Sequence, residues 1–162
     1  MKYPIKNLFA LTLLLTLAFT STQAASKDKG IYKKTTETSD FQSVYKRVYD
    51  SMEKNRFFVI EELNVGEFIG RFKERWGDDY NRNQLEEFRI MIVCNSWYAN
   101  QVSNHDTDLL ALCPMRVTLL HKQEMTTILF ARPTVFAKDS KALPVIQEIE
   151  ETIINAIEDA VK

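Results

Sequence analysis

Two cysteines, two histidines and four glycines are all that this chain of 162 residues contains. Each scarcity removes a class of function. The cysteines do not form Cys-x-x-Cys, so no thiol is set at a helix start for disulfide exchange, and the Cys-x-x-Cys-His pattern of haem attachment is missing. Ser96 has no Gly-x-Ser-x-Gly frame, so there is no nucleophile elbow. No phosphate loop or dinucleotide fingerprint occurs, and no cofactor is expected. His105, Asp106 and Asp108 lie between the two cysteines and His121 lies beyond the second, a spacing that matches no zinc pattern. Two histidines in polar stretches read as solvated loop residues. Positive charge is not in excess either. No basic stripe with interleaved aromatics appears, which excludes nucleic acid as a partner. There is no internal repeat and no low-complexity block.

Long apolar runs are also missing, with one exception at the start. Lys2 and Lys6 precede an uncharged run from Leu8 to Phe19, followed by the small residues Ser21, Thr22, Gln23 and Ala24. This is the pattern of a secretory signal peptide over residues 1–24, cut after Ala24. The run falls short of the roughly 20 residues needed to span a bilayer. No cysteine follows it to carry a lipid. The expected product is a periplasmic or secreted chain with no membrane contact after cleavage. Setting aside Lys2 and Lys6 leaves 19 basic residues against 22 acidic ones, a net charge near −3. An apolar share of 45% and few glycines indicate a globular chain. Residues 25–162 are one domain by length, with Ala25 to Lys29 a loose terminus.

What is there is a series of alternating and helical patterns. Gly30 to Thr38, rich in Thr and Tyr, reads as an edge strand. Ser39 to Gln42 reads as a capping box. It opens a helix whose apolar face carries Phe41, Val44, Tyr45, Val48 and Met52, with Asn55 as its left-handed stop. Arg56 to Leu63 is a second strand. Asn64 with Glu67 suggests another capping box, leading a stripe of Val65, Phe68, Ile69, Phe72 and Trp76 that Gly77 ends. Asp78 to Gln84 is a polar loop. Phe88 to Cys94 is a nearly continuous apolar run, the mark of a strand covered on both faces. The chain then makes a short excursion and returns as Leu112 to Leu120, and a further strand, Thr126 to Pro133, follows. From Ser140 a last helix places Ile146, Ile149, Ile153, Ile157 and Val161 on one face, with Pro144 in its first turn. The fold class is α+β: a two-layer sandwich in the order strand, helix, four strands, helix. Its sheet is mostly antiparallel, with two long helices on one face.

Cys94 ends one strand and Cys113 begins the next. In an exported protein two cysteines usually pair. Antiparallel neighbours would bring these two within the separation a disulfide demands, a bridge worth on the order of 3 kcal/mol. Two rivals stand beside the structural bridge: a labile redox pair and a thiolate metal site. Asn95, Trp97 and Tyr98 follow the first cysteine and can wall a pocket, with His105 approaching if the excursion folds back. The aromatics can equally pack against Trp76 and Phe72.

Cys94-Asn95-Ser96-Trp97-Tyr98-Ala99 resembles the Cys-Asn-Pro-x-x-Ala signature of the domain of unknown function 302 family. Leu112-Cys113-Pro114-Met115-Arg116-Val117 resembles the family's Leu-Pro-Cys-x-x-Val segment. Ser39 to Leu63 is similar to its opening helix and Gly-Phe-x-Val strand, and Pro133 to the proline that closes its last strand. The likeness extends from about Tyr32 to Lys162. Three positions depart from it: Ser96 stands for proline, Cys113-Pro114 reverses the usual order, and Asn55-Arg56 replaces a glycine. The resemblance implies a strand–helix–four-strand–helix topology like that of the TATA-box-binding protein, often as a homodimer, and brings no established activity.

Two classes of function fit. One is a non-catalytic periplasmic module that binds an unknown small ligand or a protein partner, dimeric through sheet or helix faces. The other is a periplasmic thiol/disulfide redox or metal-handling protein using Cys94 and Cys113. A hydrolase would need a nucleophile–base pair, and none is recognisable.

Overall fold

A computed structural model describes residues 29–162; the expected signal segment and most of the loose terminus lie outside the described residues. The strands are β1 (Ile31–Glu37), β2 (Phe58–Asn64), β3 (Glu87–Cys94), β4 (Met115–Lys122) and β5 (Met125–Ala131). The helices are α1 (Phe41–Lys54), α2 (Val65–Gly70), α3 (Lys73–Trp76), α4 (Ser96–His105) and α5 (Leu143–Ala160). The sheet order is β1-β5-β4-β3-β2, and every neighbouring pair is antiparallel. β2 to β5 form a meander, and β1 joins its far edge through the α1 crossover. The architecture is the expected α+β sandwich, with α1 and α5 packed side by side.

The core lies between the helices and one sheet face. Met91, Val93, Val117, Leu119, Ile128 and Phe130 meet Val44, Val48 and Met52 of α1 and Ile146, Ile149, Ile153 and Ile157 of α5. Both edges of the sheet are clipped to this layer by a tyrosine–glutamate pair. Tyr32 of β1 donates to Glu158 of α5, and Tyr45 of α1 donates to Glu62 of β2 at 2.6 Å. Burial, and then the carboxylate partner, push both phenols above their ordinary range. Glu62 reaches inward because Ile60 bulges out of the β2–β3 register, which resumes at Glu61↔Ile92.

Several expectations are corrected. The first helix is capped by Asp40, whose carboxylate accepts from Ser43 N at 3.0 Å, while Asp40 N donates to Thr38 Oγ1. Ser39 sits one residue too early to reach that amide. At the other end Asn55 keeps φ −89°, and Arg56 takes the left-handed conformation at φ 62°. Arg56 N donates to Glu53 O and Phe57 N to Met52 O, with Phe57 and Met52 both buried. This is a complete Schellman motif with arginine where glycine fits best. The stripe from Val65 to Trp76 breaks into two short helices with no buried residue, and Phe68, Phe72 and Trp76 remain 41% to 49% exposed. The helical layer is already filled by α1 and α5, so these aromatics stack on one another, Phe72 on Trp76 at 5.0 Å.

The excursion after β3 is a helix, α4, and then a 3-10 turn over Thr107–Leu112. Its polar residues give it too weak an apolar face to show in sequence; only Val102 is buried. β4 therefore starts at Met115. His121 is the last inward residue of β4, 5% exposed, with Nδ1 at 2.8 Å from Thr126 Oγ1. It is not a solvated turn residue, because β4 runs on to Lys122 before a tight hairpin. Finally, β3 is covered on one face only. Met91 and Val93 are buried, while Phe88, Ile90 and Ile92 are half-buried on the side no helix covers.

Glu150 on α5 accepts from Arg132 Nε at 2.7 Å and from Thr134 N and Oγ1 at 3.1 and 2.6 Å. Burial pushes its carboxyl up, but these donors outweigh burial and hold it below the ordinary range. A depressed carboxyl stabilises the fold at pH above its unfolded value and loses that contribution as pH falls through the folded one. Glu150→Gln should cost roughly 2 kcal/mol at pH 7. The gap from wild type in urea denaturation should close below about pH 4, and an unchanged gap at pH 3 would contradict the assignment. Arg56→Gly relieves the left-handed arginine and should stabilise the fold by about 1 kcal/mol. A lowered melting temperature would show that the Arg56 side chain matters more than its backbone.

Candidate functional site

Both thiols lie at the end of the sheet where β3 hands over to α4. Asn95 caps that helix, its Oδ1 accepting from Tyr98 N at 3.1 Å. Ser96 occupies the first helical position, where proline is also well suited. α4 is held down on its Tyr98 side: the ring stacks on Phe57 with centroids 5.7 Å apart, and the hydroxyl donates to Glu148 Oε1 of α5 at 2.7 Å. At the far end Asp106 caps the 3-10 turn through Asp108 N at 3.1 Å and accepts from Ser140 Oγ at 2.6 Å. Cys113 N donates to Leu110 O at 2.9 Å and leads through Pro114 into β4.

This path brings Cys94 and Cys113 together as two free, half-buried thiols. Burial pushes the Cys113 thiol up, and the charge and hydrogen-bonding of the adjacent Cys94 push it further. A thiol pushed up in this way is a poor nucleophile at neutral pH. Both cysteines line a small cavity with Phe57, Val102, Met115 and Ile149. Its volume is about 20 Å³, room for a single water-sized occupant. An organic ligand does not fit this space.

The expected pocket residues separate. Asn95 and Tyr98 line the cavity. Trp97 points outward, 65% exposed. His105 is on the exposed last turn of α4, its Nδ1 at 2.7 Å from Gln101 O, and does not line the cavity. Neither aromatic packs on Trp76 or Phe72, which pair with each other. Among the described residues no three His, Cys, Asp or Glu side chains gather to hold a metal. Met115 was overlooked as a lining residue, although its alternation with Cys113 places it on the same side of the strand.

In reduced, folded protein at pH 8, Cys113 should react with iodoacetamide markedly more slowly than in urea, as followed by peptide mass spectrometry. Equal rates would mean that the thiol is neither shielded nor held protonated.

The family model described as "Domain of unknown function DUF302" matches residues 32–160. No curated protein matches the chain. Among solved structures, the crystal structure of an uncharacterized conserved protein DUF302 from Bacillus stearothermophilus is similar, with a TM-score of 0.68 and 19% identity over 83% of this chain and 99% of that one. At that identity the likeness is one of fold.

Proposed function

The chain belongs to the family of the domain of unknown function DUF302, and on that premise we propose that it is an exported, non-catalytic binding module whose open sheet face takes a protein partner, a second copy of itself. The observation that carries this reading is the apolar character of the face no helix covers. Leu63, Ile90, Thr118 and Leu129 run in one row across four strands, with Phe88, Ile92 and Leu120 in the adjoining rows. All seven are half-buried, and in β3, β4 and β5 the buried Met91, Val93, Val117, Leu119, Ile128 and Phe130 lie on the opposite face. The rim carries Glu61, Arg116, Lys33 and Lys122, charges of both signs around an apolar centre. That is the anatomy of a specific interface, and both signs on one surface suit a self-complementary two-fold pairing. The apolar cavity at the thiols has room for little more than water, so it is the sheet face and not that cavity that carries this reading. Export rests on the pattern of residues 1–24.

Protein recovered from the periplasm should begin at Ala25 by mass spectrometry and sediment as a dimer at micromolar concentration. Ile90→Lys should give a monomer with unchanged far-UV circular dichroism, since Ile90 lies at the centre of the open face. A wild-type chain that remains monomeric at high concentration would sink the dimer.

A further inference from the structure

The sheet face leaves one chemical feature unused: three sulfur-bearing residues around a single small cavity. Cys94, Cys113 and Met115 all line it. Cys94 is near enough to help raise the Cys113 thiol, and Met115 stands opposite Val93, the residue before Cys94, across the β3–β4 ladder. The remaining walls are mainly apolar, with Phe57, Val102, Leu110 and Ile149 among them. The polar groups nearby are already engaged, Asn95 Oδ1 on Tyr98 N and the Tyr98 hydroxyl on Glu148. We propose that Cys94, Cys113 and Met115 form a binding site for one Cu(I) ion.

The donor set decides the metal. Thiolate and thioether sulfurs are soft ligands that select Cu(I), whereas calcium and magnesium need oxygen. Zinc asks for four nitrogen, sulfur or carboxylate ligands in a tetrahedron. His105 lies outside the cavity, and no third cysteine, histidine or carboxylate joins the pair among the described residues. Two thiolates with one thioether satisfy a cation content with two or three ligands. The volume of about 20 Å³ suits an ion and excludes an organic molecule. On binding, two S–H bonds give way to two S–Cu bonds, two protons go to solvent and no electron is transferred. The product carries one net negative charge. Ten-residue α4 begins two residues beyond Cys94, with Tyr98 and Ala99 on the cavity wall, so its amino-terminal field offsets that charge.

The test is an anaerobic titration of the reduced, purified protein with Cu(I) in competition with bathocuproine disulfonate, followed by X-ray absorption of the loaded protein. One equivalent of Cu(I) should be retained, with a first shell made of sulfur alone. Cys94→Ser and Cys113→Ser should each abolish retention. Met115→Leu, nearly equal in volume and so expected to fold normally, should weaken binding by about tenfold. The proposal is overturned if the folded, reduced wild type yields all its copper to the competitor, or if nitrogen or oxygen dominates the shell. It is equally overturned if Met115→Leu binds as wild type does, or if the cysteines form a disulfide that dithiothreitol does not open. The sheet-face dimer stands or falls separately, because its residues are not those of the cavity.

Discussion

A five-stranded sheet with helices on only one side must leave its other side to water or to a partner, and most of this protein's features follow from that constraint. On the covered side every second residue of β4 from Val117 and of β5 from Thr126 is buried, down to His121 and Thr126 at the hairpin end. The edges are pinned to the helices by Tyr32–Glu158 and Tyr45–Glu62. Glu150, Arg132 and Thr134 fix α5 to the segment leaving β5. The outer side has no such cover, yet β3 is apolar on both faces, with Met91 and Val93 inward and Phe88, Ile90 and Ile92 outward. The apolar run that suggests a strand enclosed on both sides is therefore half explained by the monomer. The unexplained half is the argument for a second layer supplied from outside.

The end of the sheet follows a different logic. There the chain turns sharply from β3 into α4, and a single asparagine cap fixes the turn. The cap, the Tyr98–Phe57 stack and the Asp106–Ser140 bond hold α4 and the 3-10 turn over the cysteines. The result is a nearly filled apolar space with sulfur on one wall. Its size admits water or an ion and not an organic ligand. The Cys113 thiol, pushed up by burial, is unsuited to rapid exchange and must give up its proton to act as a soft ligand.

Departures from the family pattern fall where backbone geometry is demanding. Ser96 replaces proline at a first helical position, which tolerates both. Arg56 sits at a left-handed C-cap, where glycine is at ease and arginine is strained. Cys113 precedes Pro114, and both stand before the β4 ladder, which opens at Met115. The neighbouring Met115 takes the first ladder position and brings the third sulfur.

The sequence alone determined the elements whose periodicity is strong and whose burial is one-sided. α1, α5 and the three central strands were legible because apolar spacing is a direct trace of which side faces the core. It also placed the two cysteines at the end of one strand and the start of the next, so that they meet if those strands are neighbours, and the structure makes them so. It did not reveal α4, whose polar residues leave only Val102 to bury, nor the bulge at Ile60 that turns Glu62 inward. It placed Phe68, Phe72 and Trp76 on a stripe, but only the tertiary structure could say that α1 and α5 had already filled the layer. The same holds for Met115, His121 and the open sheet face. A residue's pattern records its own polarity, whereas burial depends on which distant segment arrives to cover it.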